Sequence, residues 1–135
     1  LGGTIIGGEG YDTITIDADA NVTFAATFAF SGIEELDITA VGTKTVSMTG
    51  AQLAGNSTLI LDGDATTDVF NVSTGSTATA AKSADLSNVT VKTGATVGIT
   101  VTGNVGVDTI TGGVASETFT QTIGADVYEG GAGTG

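Results

Sequence analysis

The sequence predicts an all-β fold of short strands and glycine turns. Three observations carry that expectation. Val, Ile and Thr branch at Cβ and favour strands, and they supply much of the composition. Gly, at 22 of 135 residues, is too frequent for long helices. Apolar and polar residues alternate in short runs, as at Leu59/Leu61 and Ile99/Val101, the pattern of a half-buried strand. Large core side chains are scarce, with 5 Phe, 2 Tyr and no Trp.

Taken in order, strands are expected at 13–16, 22–30, 35–39, 44–48, 58–62, 69–72, 88–92, 97–102, 109–111, 118–120 and 127–129. A short helix or loop is expected near 50–55 (GAQLAG) and another near 79–86 (TAAKSADL). Residues 73–84 are rich in Ser, Thr and Ala and read as a flexible loop. No interdomain linker is visible. The chain divides into an N-terminal turn (1–16), a central β-rich region (17–102) and a C-terminal run of nonapeptides (103–135).

Charge and composition exclude several function classes. Formal charge is −12, from 15 acidic residues against 3 Lys and no Arg. Such a surface does not neutralise phosphates, so nucleic-acid binding is not expected. Adsorption to anionic membranes is not expected either. The acidity reads first as solubility; a bound cation that relieves self-repulsion is the sharper reading. With no Cys there is no disulfide framework or thiolate metal site, and with no His the usual zinc ligand and general base are missing. No nucleophile–base pair is recognisable, so the chain is not expected to be an enzyme. No apolar run of about 18 residues is present, hence no expected membrane span. Residue 1 is Leu, so the chain reads as a fragment of a longer one.

Two internal repeats stand out. Residues 59–71 (LILDGDATTDVFN) align with 99–111 (ITVTGNVGVDTIT) without a gap, pairing Gly63 with Gly103 and Asp68 with Asp108. A second echo links 33–38 (IEELDI) to 86–91 (LSNVTV).

The stretch 7–15, GGEGYDTIT, fits the nonapeptide G-G-x-G-x-D-x-U-x at every specified position, through Gly7, Gly8, Gly10, Asp12 and Ile14. Consecutive nine-residue blocks then run in frame from 103: GNVGVDTIT, GGVASETFT, QTIGADVYE and the truncated GGAGTG. Ile110, Phe119 and Tyr128 fall nine apart, as do Asp108, Glu117 and Asp126. The blocks are imperfect. Ala115 replaces a Gly, Glu117 replaces an Asp, Gln121-Thr122 replace the Gly pair, and Gly135 stands where the next Asp belongs. Residues 63–71 are a weaker copy with Thr66 in place of a Gly. Two blocks make one eighteen-residue coil with a turn on each side, so Asp108 is expected above Asp126 and Gly106 above Gly124. Stacked carboxylates repel unless a cation lies between them. Calcium takes six to eight hard oxygens, and glycines let the backbone aim carbonyls at one point.

On these blocks the sequence resembles the RTX family of type I secreted bacterial proteins, most closely its surface-layer members. The centre, with SGIEELDITAVG at 31–42, resembles the strand-rich regions of surface-layer proteins and large adhesins. The resemblance implies a parallel β-roll or solenoid at the C-terminus and N-terminal edge, around a solenoid or sandwich centre, with Ca2+ between successive turns. It implies carboxylate ligands at Asp12, Asp108 and Asp126, with Glu117 and Asp68 as further candidates. Carbonyl donors would come from Gly7, Gly8, Gly10, Gly106, Gly112, Gly113, Gly124, Gly130 and Gly131. It further implies a structural module of a secreted, self-associating protein at the surface of a Gram-negative bacterium. Cell-surface polysaccharide would be met through other parts of the parent chain. An adhesin module and the noncatalytic tail of a secreted protease or lipase are the alternatives.

Other features read blandly. Glu34 and Glu35 are adjacent and point to opposite faces of a strand entry, which suits a solvated edge better than acid/base work. Thr-x-Thr pieces such as Thr100/Thr102 and Thr118/Thr120 lack a constant spacing and read as ordinary strand threonines, not an ice-binding face. Gly7-Gly8-Glu9-Gly10 is not followed by Lys-Ser/Thr and does not suit phosphate.

Overall fold

The alternating runs become short strands that lie in register on equivalent strands one coil away, and every pairing among the described residues is parallel. The structure is a computed structural model and describes residues 2–64, 67–75 and 82–133. It is a β-solenoid of about 4 turns. The strands are β1 (Thr4–Ile6), β2 (Thr13–Ile16), β3 (Val22–Thr23), β4 (Ala29–Ser31), β5 (Glu35–Ile38) and β6 (Thr45–Thr49). A one-turn helix α1 (Gly50–Leu53) precedes β7 (Leu59–Gly63), β8 (Asp68–Ser73), β9 (Ser83–Asp85), β10 (Val89–Val91) and β11 (Val97–Thr102). The chain ends with β12 (Thr109–Thr111), β13 (Glu117–Thr120) and β14 (Val127–Glu129).

Each coil visits three sides in turn. The first side carries β2, β5, β7 and β10; the second carries β3, β6, β8, β11 and β13. The third carries β1 and β4, then α1, then β9, β12 and β14, with α1 packed between β4 and β9. Alternate side chains on each strand face inward, so apolar residues stack in columns along the axis. One column on the second side runs Val46, Phe70 and Ile99, and the next runs Met48, Val72, Val101 and Phe119. On the first side Leu36, Leu61 and Val91 stack. These columns merge into one core that extends from Ile16 to Ile110, with Phe119 and Tyr128 packed against its end. The central region is therefore solenoid, and its ladders run past residues 16 and 102 without a break.

Coil length changes along the axis. Stacked residues are separated by 22 to 30 positions through the first four coils, as Thr13 on Glu35 and Leu59 on Val89 show. Beyond residue 102 the separation falls to 18, with Ile99 on Glu117 and Thr109 on Val127. The shortening has a simple origin: β11, β12, β13 and β14 alternate between the second and third sides only. The solenoid narrows from a three-sided to a two-sided cross-section where the in-frame nonapeptides begin. The first side ends at β10, and the Gly113 turn of the narrow coil closes over it. A Cβ at Gly113 would lie 2.4 Å from the Leu86 carbonyl oxygen and 2.8 Å from that of Val89.

Several expectations need revision. The strand expected over 22–30 is broken into β3 and β4, because the coil must turn a corner there; Phe28 donates its N–H to the Ala25 carbonyl at 2.8 Å. Phe24, Phe28 and Phe30 then cluster inside, with ring centroids 4.7–6.0 Å apart. β1 is a short strand that alternation did not reveal. Residues 83–85, expected as helix or loop, are strand, and 76–81 of the expected flexible loop lie outside the described residues. The helix expected near 50–55 is present, with Gln52 Nε2 donating to the Ala25 and Phe28 carbonyls at 2.8 Å each. The threonines without constant spacing in sequence also gain order. On the outer second side Thr23, Ser47, Asn71, Thr100 and Thr118 form one column, because unequal coil lengths absorb the irregularity.

Phe70 is fully buried between Val46 and Ile99 at mid-stack. Phe70→Ala is expected to cost about 3–5 kcal/mol through lost transfer energy and the cavity left behind. Urea unfolding of the two chains measures this directly, and a cost below about 1 kcal/mol would mean that the column is not packed as described.

Candidate metal centre

The repeated Gly-to-acid spacing of five residues builds a recurrent corner. At Asp68, Asp108 and Glu117 the carboxylate folds back over the glycine and accepts backbone N–H groups. Asp68 lies at the corner between β7 and β8, fully buried, accepting from Asp64 N at 3.1 Å and from Lys44 N of the preceding coil at 2.9 Å. Asp108, at the corner between β11 and β12, repeats the arrangement. It accepts from Lys82 N at 3.1 Å, from Thr74 Oγ1 at 3.1 Å and from Asn104 N. Glu117 accepts from Gly113 N at 3.0 Å. The offset of forty residues that aligns 59–71 with 99–111 thus repeats corner chemistry. It does not join stacked partners, since β7–β8 and β11–β12 occupy different pairs of sides.

In the narrow coil the corners stack. The Asp108 backbone N–H donates to Asp126 Oδ1 at 3.0 Å, and Asp126 Oδ2 accepts from Tyr128 OH at 3.2 Å. Thr122 Oγ1 donates to the Asn104 carbonyl across the same step. Gly106 and Gly124 are so close that a Cβ on Gly124 would lie 2.0 Å from the Gly106 carbonyl oxygen. Only glycine allows that approach. Asp108 and Asp126, with the Gly106 and Gly124 backbones, therefore converge at the corner between the second and third sides. At the opposite corner Glu117, Gly130 and Gly131 line an open recess of about 210 Å³, and Gly112 and Gly113 sit directly above Gly131.

Asp12, Gly7, Gly8 and Gly10 belong to the first coil, far along the axis from these corners, so the structure does not bring the two nonapeptide groups together. The Asp12 side chain nonetheless has the same setting. A Cβ on Gly7 would lie 2.8 Å from Asp12 Oδ2, and that oxygen is buried without a donor. A buried, undonated carboxylate oxygen is what a hard cation would satisfy. Asp126 is half-buried, and its oxygens accept from Asp108 N and Tyr128 OH, which leaves lone pairs open on the solvent side. At Asp68 and Asp108 both oxygens already accept N–H groups, which is turn capping; their second lone pairs are what remain for a cation.

A second acidic group, not foreseen from sequence, lies on the outer first side. Carboxylate oxygens of Glu35, Asp37 and Asp62 lie within 4.8 Å of one another. Lys92 Nζ sits on two of them, 2.8 Å from Glu35 Oε1 and 2.6 Å from Asp62 Oδ2. Tyr11 OH donates to Glu35 Oε2 at 2.7 Å. Glu35 is 6% exposed, so it is no solvated edge, while Glu34 accepts the Asp12 N–H at 2.8 Å. The ladder explains the grouping: Asp37 stacks directly on Asp62, and Glu35 stacks beside Ile60. Twenty-five positions separate these pairs, and the nine-residue frame gives no hint of that spacing. The Lys92 and Tyr11 hydrogen bonds hold the Glu35 carboxyl below its ordinary value. Burial, then the Asp62 and Glu35 charges, raise that of Asp37. Burial and the Asp126 carboxylate raise the Tyr128 phenol at the narrow coil.

The fold and these corners define a parallel β-solenoid that ends in a two-sided, acid-lined coil. No family model, curated protein or solved structure matches the chain.

Asp37 binds its proton more tightly folded than unfolded, so its charge costs stability as pH rises through the raised value, and the cost is absent well below 3.8. Asp37→Asn is therefore expected to stabilise the chain at pH 7 by about 0.2–1 kcal/mol, the scale of like charges opposed across a ladder. The gain should vanish near pH 3 in urea unfolding. A variant less stable than the parent at pH 7 would contradict this electrostatic reading.

Proposed function

We propose that this chain is a structural calcium-binding module, not an enzyme, of a secreted bacterial protein that assembles at the cell surface, most like an RTX surface-layer protein. The observation that carries the proposal is the eighteen-residue register of the narrow coil. It stacks Asp108 on Asp126 and Gly106 on Gly124, the placement that in-frame nonapeptides require. The donors are hard oxygens, which suit calcium and not the softer metals.

In this reading Asp108, Asp126 and the Gly106 and Gly124 carbonyls hold one ion. Glu117 with the carbonyls of Gly112, Gly113, Gly130 and Gly131 offers a second position, and Asp12 with the carbonyls of Gly7, Gly8 and Gly10 a third. Bound calcium supplies positive charge between coils whose carboxylates otherwise repel. Because the unfolded chain lacks the site, binding contributes to folding as RT ln(1 + [Ca]/Kd). Extracellular calcium modules have Kd values on the order of 10⁻⁴ to 10⁻³ M. Such a coil stays loose in a calcium-poor cytosol and sets once outside. The absence of His and Cys supports a structural role over a catalytic one. Among the described residues no helix is long and apolar enough to cross a membrane.

Calcium in the millimolar range is expected to raise the melting temperature and chelation to lower it, with magnesium a poor substitute because it demands a tighter octahedron. Asp126→Asn should weaken calcium binding by about tenfold or more in isothermal titration, as loss of a charged ligand oxygen. A melting temperature indifferent to chelation in the parent chain would overturn the proposal.

A further inference from the structure

The charge balance differs between the two parts of the solenoid. All three cationic side chains, Lys44, Lys82 and Lys92, precede residue 103. From Gly112 onward there are three carboxylates, Glu117, Asp126 and Glu129, and no basic residue. The three-sided part also contains a crowded carboxylate group, but there the counter-charge is covalent.

Lys92 follows β10 in the fourth coil. Its backbone N–H donates to the Leu61 carbonyl at 3.0 Å, which fixes the base of the side chain over the third coil. Its ammonium reaches Asp62 in that coil and passes on to Glu35 in the second. The other oxygen of Glu35 accepts a hydrogen bond from the Tyr11 hydroxyl of the first coil. One line of charge-assisted hydrogen bonds thus crosses four successive coils on the outer first side. An exposed ion pair alone contributes little. This one differs because Glu35 is nearly buried, and a buried carboxylate stripped of its cation is strongly disfavoured.

We infer that Lys92 is a built-in cation that fastens the first side from β5 to β10 without metal, so that beyond the Asp12 turn calcium controls only β13 and β14; this rests on the reading of the narrow coil as a calcium site. The boundary falls after β12. That strand pairs with β9 along Thr109–Thr111, and its entry residue Asp108 is bonded to Thr74 and Lys82 of the preceding coil. The Glu117 and Asp126 corners beside β13 and β14 receive backbone N–H and hydroxyl donors, and no basic residue occurs from Gly112 onward. The coils from β5 to β12 are then a preformed template, with β11 and β12 as the strands on which the narrow coil is laid down when calcium arrives.

Hydrogen–deuterium exchange of the whole chain, followed by peptide in millimolar calcium or in chelator, tests the division. Chelation should speed exchange in β13 and β14 by about tenfold or more while β5, β7 and β10 stay protected. Lys92→Met should speed exchange in β2, β5 and β7 whether or not calcium is present, and Lys92→Arg should restore protection. A Lys92→Met chain that fails to fold while Lys92→Arg folds counts as the same result. Chelation that also exposes β5, β7 and β10 would overturn the inference and leave the calcium reading standing. Unchanged protection in Lys92→Met would overturn the role of Lys92. Unchanged β13 and β14 on chelation would overturn the calcium reading itself.

Discussion

Parallel, in-register stacking is the constraint from which the rest of this molecule follows. Each strand hydrogen-bonds to the equivalent strand one coil away, so each side chain meets the one directly above it. Apolar residues gain from this, because Leu36 and Leu61, with the partly buried Val91 packed on them, or Met48, Val72 and Val101 form continuous columns. Polar corners carry the cost. Carbonyls approach carbonyls, which restricts Gly124 and Gly131 to glycine, and carboxylates approach carboxylates.

The molecule meets that electrostatic cost in three ways. Buried corner acids at Asp68 and Asp108 are satisfied by backbone N–H groups, which satisfy a carboxylate without bringing a full positive charge. The surface group of Glu35, Asp37 and Asp62 is satisfied by an ammonium. The narrow coil has no basic residue from Gly112 onward, and in the proposed reading an external cation supplies the counter-charge. The change from three sides to two gives this difference its geometry, since dropping the first side removes the face on which Lys92 works.

Much of the fold was legible because solenoid strands obey the simplest pattern, period-two alternation. β2, β12 and β14 fall where alternation puts them, and the eighteen-residue register follows from two in-frame nonapeptides. What escaped was long-range. The twenty-five-residue step that sets Asp37 on Asp62 leaves no repeat in the sequence, because its coil carries no glycine signature. The corner through Phe24 and Phe28 looked like strand because its residues are apolar, and inward-facing corners are as apolar as strands. Glu35 looked solvated for a related reason. Alternation places its side chain outward, and only the stacked coils show that Tyr11 and Lys92 cover it.

The most direct test is a high-resolution experimental structure of the calcium-loaded chain. The account predicts Ile110 beside Tyr128 and Val101 beside Phe119, with an ion at the Asp108–Asp126 corner bound by oxygens at about 2.3–2.6 Å. A first side continuing past residue 103, or an empty corner at saturating calcium, would contradict it.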